Sequence, residues 1–310
     1  PPPIFFSTHT PPPPILSGLV GSEMCIRDRE KSMRDSEKRQ YTKEWLQYER
    51  QQPMYDNSIN EFYDKIFKNS PVHKGLLDDE FISTFENWLA EHQYSNFDGL
   101  DAFPIRHIIQ GCTQFIDDLY QRCGDIQTFE KDYKYHWRLN NNIKYATIDT
   151  LDLNKEVLIA MPFPYYGDVH PDMYEILDKC YKLKIPVHID SAWISCIRDI
   201  NFNFDHPAIQ TFGISLSKGG IGGNRIGVRF ARKKPEGAIT IMNDFHMNQQ
   251  PLMYIGLRFM QDFGPEYFWR KYENKYYKVC EDFNLKPTKT VHLAIDNNEP
   301  VGIRPLLRAL

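Results

Sequence analysis

Apolar residues recur along this chain with two different spacings, and the switch between them marks out the architecture. From Glu30 to about Asn69 the sequence is charged, with Tyr41, Trp45 and Tyr48 and then Ile59, Phe62 and Ile66 at helical intervals, which predicts two surface helices. A clearer amphipathic helix follows Asp78. Phe81, Phe85, Trp88 and Leu89 share one of its faces, read as core packing, and Asp78 and Asp79 suit the partial positive charge of its first turn. From about Pro104 short apolar runs alternate with helical segments. "IRHII", "IQTFE", "KYATI", "EVLIAM", "IPVHID" and "QTFGIS" read as strands, with helices starting near Thr113 and running from Pro171 to about Lys184. "NRIGVRFAR" reads as a further strand, "QQPLMYIGLRFMQDF" and "PEYFWRKYENKYYKVCEDF" as long helices, and "TVHLAI" as a last strand.

Strands interleaved with helices predict an α/β fold: right-handed crossover units and a mostly parallel sheet flanked by helices on both faces. The expected division is an N-terminal helical segment over 30–75, a large domain over 76–245 and a smaller α+β domain over 246–310. Residues 1–29 stand apart, with two proline runs, no periodicity and no charge before Glu23, a pattern of neither a signal peptide nor a folded element. Their end, "SGLVGSEMCIRDR", resembles a translated sequencing adapter, so the segment is read as a non-native or disordered leader. A fragment origin would leave the end at Leu310 open to truncation as well.

Composition narrows the partners. Across 310 residues, 37 basic and 41 acidic side chains give a formal charge of -4, spread along the chain, which speaks against a nucleic-acid or anionic-membrane partner and for small molecules. Six cysteines lie far apart without a CxxC pair, which fits a reducing, cytoplasmic compartment. No apolar run is long enough to span a bilayer.

Three loops each follow a predicted strand, and in parallel sheets ligands gather at the carboxyl ends of strands. The loops are "QGCTQ" (110–114), "HIDSAW" (188–193) and "SLSKGGIGGNR" (215–225). Gly111, Cys112 and Thr113 open a helix and offer backbone N–H groups to an anion; alone they read as an ordinary strand–helix turn. Asp190 ends a buried strand, where a carboxylate is costly unless it caps a turn or meets a cationic ligand group. Lys218 precedes its glycines, unlike the lysine of a phosphate-binding P-loop, and "GGNRIGVRF" runs into a strand, unlike a dinucleotide fingerprint. A lysine amine, a buried aspartate, a cradle of Ser215, Ser217 and Arg225 and a helix start together make the set that a phosphorylated pyridine aldehyde requires.

With these residues in view, "HIDSAW" and the later "SLSKGGIGGNRIG" resemble the paired signature of the fold type I enzymes dependent on pyridoxal 5'-phosphate (PLP), specifically the class I/II aminotransferases. The similarity runs from about residue 78 to about residue 285. The resemblance implies that Lys218 forms a Schiff base with PLP and that Asp190 pairs with the pyridinium nitrogen. It implies a phosphate site made by Ser215, Ser217, Arg225 and the N–H groups of Gly111, Cys112 and Thr113. Ala192 would lie on one ring face and Tyr133 on the other, with Tyr135 and Trp137 as alternatives to Tyr133. Two departures stand out: in "FPYYG" Phe163 takes the place of an asparagine that usually reaches the ring hydroxyl, and Trp193 that of a tyrosine sharing this role. Arg304 is the positional candidate for the substrate carboxylate. The implied activity is amino transfer between an amino donor and a 2-oxo acid or related carbonyl compound, in a homodimer and without a metal. The alternatives are a lyase or decarboxylase on the same cofactor, and a non-catalytic protein that keeps the fold.

Overall fold

A computed structural model describes residues 54, 56–69, 76–139, 143 and 145–309. The leader over 1–29 and the helix through Tyr41, Trp45 and Tyr48 lie outside these residues. In chain order the elements are α1 (Asn57–Asn69), α2 (Asp78–Ala90), β1 (Asn96–Asp98), β2 (Ile105–Ile109), α3 (Gly111–Cys123), β3 (Ile126–Phe129), α4 (Tyr135–Leu139), β4 (Tyr145–Ala146), β5 (Glu156–Ala160) and α5 (Met173–Leu183). There follow β6 (Val187–Ser191), β7 (Asn201–Asn203), β8 (Ile209–Ser215), β9 (Gly227–Ala231), α6 (Ala238–Asp244), α7 (Gln250–Asp262), α8 (Tyr267–Asp282), β10 (Lys286–Pro287), β11 (Leu293–Asp296), β12 (Glu299–Gly302) and α9 (Arg304–Ala309).

The helical spacings bury what they predict. Ile59, Phe62 and Ile66 of α1 and Phe81, Phe85, Trp88 and Leu89 of α2 are all buried. Each such side chain contributes about 1.5–3 kcal/mol when taken from water into the core. Asp78, at the start of α2, does more than complement the helix dipole: its carboxylate accepts hydrogen bonds from Asn248 (2.9 Å) and Gln250 (3.2 Å), tying α2 to the start of α7.

Seven strands form the central sheet in the order β2-β9-β8-β6-β5-β3-β4. From β8 to β4 the pairing is parallel, whereas β9 pairs antiparallel with both β8 and β2. Alternate residues of a strand point to opposite faces, and here both faces are covered. Leu158 of β5 packs with Ile109, Phe115, Ile116 and Leu119 on the α3 side, while its neighbours Val157 and Ile159 join the larger core on the other side. The apolar runs in "EVLIAM" and "IPVHID" are therefore continuous rather than alternating.

A smaller antiparallel sheet, β10-β11-β12, follows α8. Asn297 and Asn298 close the β11–β12 hairpin with φ of 47° and 65°, the left-handed pair that a two-residue turn of this hand requires. Buried Tyr276 of α8 locks onto this sheet, donating to the Leu293 carbonyl (2.9 Å) and accepting from the Thr288 N–H (2.7 Å). The strand expected over "TVHLAI" starts later, at Leu293, because Thr290 to His292 turn to meet the loop after β6.

Candidate active site

Strand register sets the site. Ala160 of β5 lies opposite Asp190 of β6, and Asp190 lies opposite Gly213 of β8, so these parallel strands end side by side. Both β2 and β8 run antiparallel to β9, so the carboxyl end of β2 reaches the same edge. Cys112, Thr113, Tyr133, Asp190, Ala192, Ser215, Ser217, Lys218 and Arg225 line one cleft there, together with Ala160, Pro162, Pro164 and Trp193.

On one side the hydroxyls converge. Ser215 Oγ and Ser217 Oγ are 2.7 Å apart, the Ser217 N–H donates to Ser215 Oγ (3.2 Å), and Arg225 donates to Thr113 Oγ1. Gly111 borders this cluster with φ of 72°, and a Cβ there would stand 2.9 Å from Arg225 Nη2 and 3.1 Å from Ser215 Oγ. A side chain would thus fill the approach to a guanidinium, two hydroxyls and the first turn of α3. Cationic and hydroxyl donors at a helix start form a place for an anion.

Lys218 sits in the turn Ser217–Ile221, whose Gly219 approaches Ser195 so closely that a Cβ would lie 2.3 Å from its Oγ. The side chain is partly exposed through the cleft yet enclosed by protein. Burial and then the Arg225 charge push its amine down to about 8, against the pull of Cys196 and Asp190. Asp190 is 5% exposed, and its Oδ1 accepts the Ala192 N–H at 3.0 Å. Burial raises its carboxyl above the ordinary range, partly offset by Cys112, Ala192, Lys218 and Arg225. The Cys112 thiol donates to the Gly213 carbonyl (3.3 Å) and is itself pushed up by burial.

Of the three aromatic candidates Tyr133 lines the cleft, Tyr135 donates to Asp117 (2.8 Å) and Trp137 is 44% exposed. Asp132, which sequence reasoning missed, anchors Tyr133. Its Oδ1 accepts the Tyr133 N–H (2.6 Å), and its Oδ2 accepts the Ala160 N–H (3.1 Å) and the Thr128 hydroxyl (3.2 Å). Burial raises this carboxyl to about 7, and Asp190 adds to the rise. Phe163 turns away into the core, its ring 4.7 Å from that of His170, and the flanking Pro162 and Pro164 meet the cleft instead. Arg304 is not among the lining residues, though its charge acts on Lys218.

Among the described residues, Cys123, Glu156 and His188 bring a thiol, a carboxylate and an imidazole within 4.8 Å of one another, toward the amino ends of β5 and β6. Glu156 already accepts from Cys123 (3.0 Å) and is 2.6 Å from His188 Nε2, so the group is satisfied internally.

No protein-family model matches the chain, and no curated protein matches its sequence. Solved structures do match. An aminotransferase from Mycobacterium tuberculosis superposes with a TM-score of 0.58 at 12% identity, over 94% of this chain and 83% of its own. An aromatic aminotransferase from Pyrococcus horikoshii gives 0.56 at 16% identity, over 78% and 77%. A PLP-bound C–S lyase from Staphylococcus hominis gives 0.51 at 14% identity, over 78% and 76%. The chain therefore has the fold of these enzymes, a mostly parallel sheet between helical layers with a smaller sheet towards the C-terminus.

Proposed function

We propose that this chain is a PLP-dependent enzyme that transfers an amino group between an amino donor and a 2-oxo acid or related carbonyl compound. One observation carries the reading: a single cleft holds a lysine amine with a lowered pKa, a buried carboxylate and a separate anion cradle. The donor set fits the cofactor part by part. Arg225, Ser215, Ser217, Thr113 and the start of α3 at Gly111 and Cys112 would hold a phosphate. Asp190, raised by burial, suits a ring N–H cation that restores the ionised carboxylate. Ala192 and Tyr133 would border the ring, Tyr133 held in place by Asp132.

When bound, the cofactor supplies an electron-withdrawing ring that accepts the electron pair released at the substrate's amino-bearing carbon. The protein's own part is proton handling at Lys218 Nζ. With its pKa near 8, a substantial neutral fraction exists near neutral pH, so Nζ can take the proton from that carbon and return it elsewhere. Asp190 would pair with the ring nitrogen of the bound cofactor, and Tyr133, Pro162, Pro164 and Trp193 would keep water from that face of the cleft. The substrates are small molecules, and the resemblance implies a homodimer.

The test is to load the protein with PLP, reduce with borohydride and map the modified peptide. Label on Lys218 is expected; label elsewhere, or none, overturns the reading.

A second reading keeps the cofactor but replaces transfer with elimination or decarboxylation. It is favoured by Trp193 and the Pro162–Pro164 wall, which put apolar surface where the resemblance leads one to expect hydrogen-bond donors, and by the C–S lyase among the matching structures. A single turnover with an amino donor alone separates the two: transfer leaves the amine form of the cofactor, elimination does not.

A further inference from the structure

At the edge of the sheet opposite the cleft, three side chains able to ligate a metal meet from three elements. Cys123 ends α3, Glu156 opens β5 and His188 is the second residue of β6. Their sulfur, carboxylate oxygen and ring nitrogen lie within 4.8 Å of one another. One atom gathers them: Glu156 Oε2 accepts from Cys123 Sγ (3.0 Å) and is 2.6 Å from His188 Nε2. Along the chain the positions are 33 and 32 residues apart, so no ligand-spacing motif announces them.

The backbone is adjusted to orient the imidazole. Val187 pairs with Ile209, yet His188 pairs with Thr211, so the register slips by one residue, Gln210, at this step. The slip sets the Thr211 hydroxyl 2.7 Å from His188 Nδ1, an outer partner that fixes the ring and leaves Nε2 facing Glu156 and Cys123. The neighbouring Arg122 charge is met by Asp118 at 2.8 Å, and the carbonyl end of α3 favours a cation beside Cys123. The Glu156 side chain is 33% exposed, which opens the group to an ion from solvent. We propose that Cys123, Glu156 and His188 form a binding site for a divalent transition-metal ion of the zinc class, which clamps the end of α3 to β5 and β6. A thiolate, an imidazole and a carboxylate are ligands that zinc takes, with a fourth position left to water. Ligands of a tetrahedral zinc ion stand roughly 3.3–3.8 Å apart, so Glu156 swings toward solvent by about 1 Å to admit it. The two hydrogen bonds that hold the group then give way: Cys123 releases its thiol proton to solvent, and His188 moves its ring proton from Nε2 to Nδ1, where Thr211 Oγ1 accepts it. This site stands apart from the cleft, does not depend on the aminotransferase reading and departs from the metal-free expectation of the sequence.

Cobalt(II) is a suitable probe, because its bond to a thiolate absorbs in the near ultraviolet. The full chain, chelator-treated and without a histidine tag, is expected to take up one Co2+ with that band, and Zn2+ should bleach it. Cys123→Ser should remove the band, Glu156→Gln and His188→Gln should each weaken Zn2+ binding about 100-fold, and Thr211→Val, which removes only the outer partner, about tenfold. X-ray absorption on the zinc-loaded wild type decides the matter even if a variant does not fold: one sulfur at about 2.3 Å with nitrogen and oxygen at about 2.0–2.1 Å is expected. Absence of the band, a band that survives Cys123→Ser, or a zinc shell with no sulfur or more than one overturns the inference. Borohydride labelling at Lys218 bears on the cleft alone, so failure of one reading leaves the other standing.

Discussion

Arg229 and Lys218 are two cations enclosed by the same sheet, and their surroundings treat them in opposite ways. Arg229 of β9 is wholly buried, and both terminal nitrogens of its guanidinium are matched: Nη1 donates to Asp118 at 2.9 Å, and Nη2 meets His107 Nδ1 at 2.6 Å and Thr240 Oγ1 at 2.9 Å, while Nε has no hydrogen-bond partner among the described residues. Burial lowers it to about 10, so it stays charged at neutral pH. Lys218 is set beside another cation, Arg225, and is lowered to about 8. A buried charge met by a carboxylate and hydrogen bonds holds strands and helices together; one crowded by a like charge is held in readiness to give up its proton. If Lys218 is the reactive amine proposed above, the two sites set a structural cation and a reactive one within a single fold.

The largest effect expected is on the reactive side. Asp190→Ala should still be labelled at Lys218 but lose at least about 1,000-fold in turnover, about 4 kcal/mol in the barrier. Steady-state assay with an amino donor and a 2-oxo acid checks it, and unchanged turnover would show that the carboxylate has been misassigned.

Next comes the structural side. Arg229→Met leaves the buried Asp118 carboxylate paired, among the described residues, with Arg122 alone, at 2.8 Å, and should cost about 3 kcal/mol in denaturant unfolding. Lys218→Met should cost nothing or stabilise, while abolishing the label. A reversal of that order would erase the contrast between the two cations.

The smallest effect is in pH. In the proposed reaction Lys218 would react through its neutral amine, and its pKa is lowered to about 8, so proton loss comes earlier than for an ordinary lysine at 10.5. The rate of PLP incorporation should therefore climb about tenfold per pH unit below 8 and level off above it. A rate still climbing toward pH 10 would mean an amine in ordinary solvent.

Much of this was legible from residue spacing. The helices through Phe81 and Ile59 carry their own periodicity and the strands at "EVLIAM", "IPVHID" and "QTFGIS" their own short apolar runs, and each forms where that pattern places it. The candidate residues converge because a parallel sheet delivers every strand's carboxyl end to one edge. Asp132 and His292 escaped notice for a physical reason: nothing local distinguishes them from surface residues, and their burial is created by elements distant in the chain. Asp132 had one faint signal, its position immediately before Tyr133. Phe163 matched a motif position by order, yet the turn about Pro162 and Pro164 points its ring into the core.

By itself the sequence determined the alternation of helices and strands, the α/β class and the candidate residues proposed to meet an aldehyde, a phosphate and a ring cation, because spacing and side-chain chemistry are local properties. The tertiary structure alone decided the antiparallel course of β9, that Tyr133 rather than Tyr135 or Trp137 lines the cleft, and the enclosure of His292. Each of these depends on which surfaces meet across the fold, and desolvation and Coulomb interaction act only once they have met.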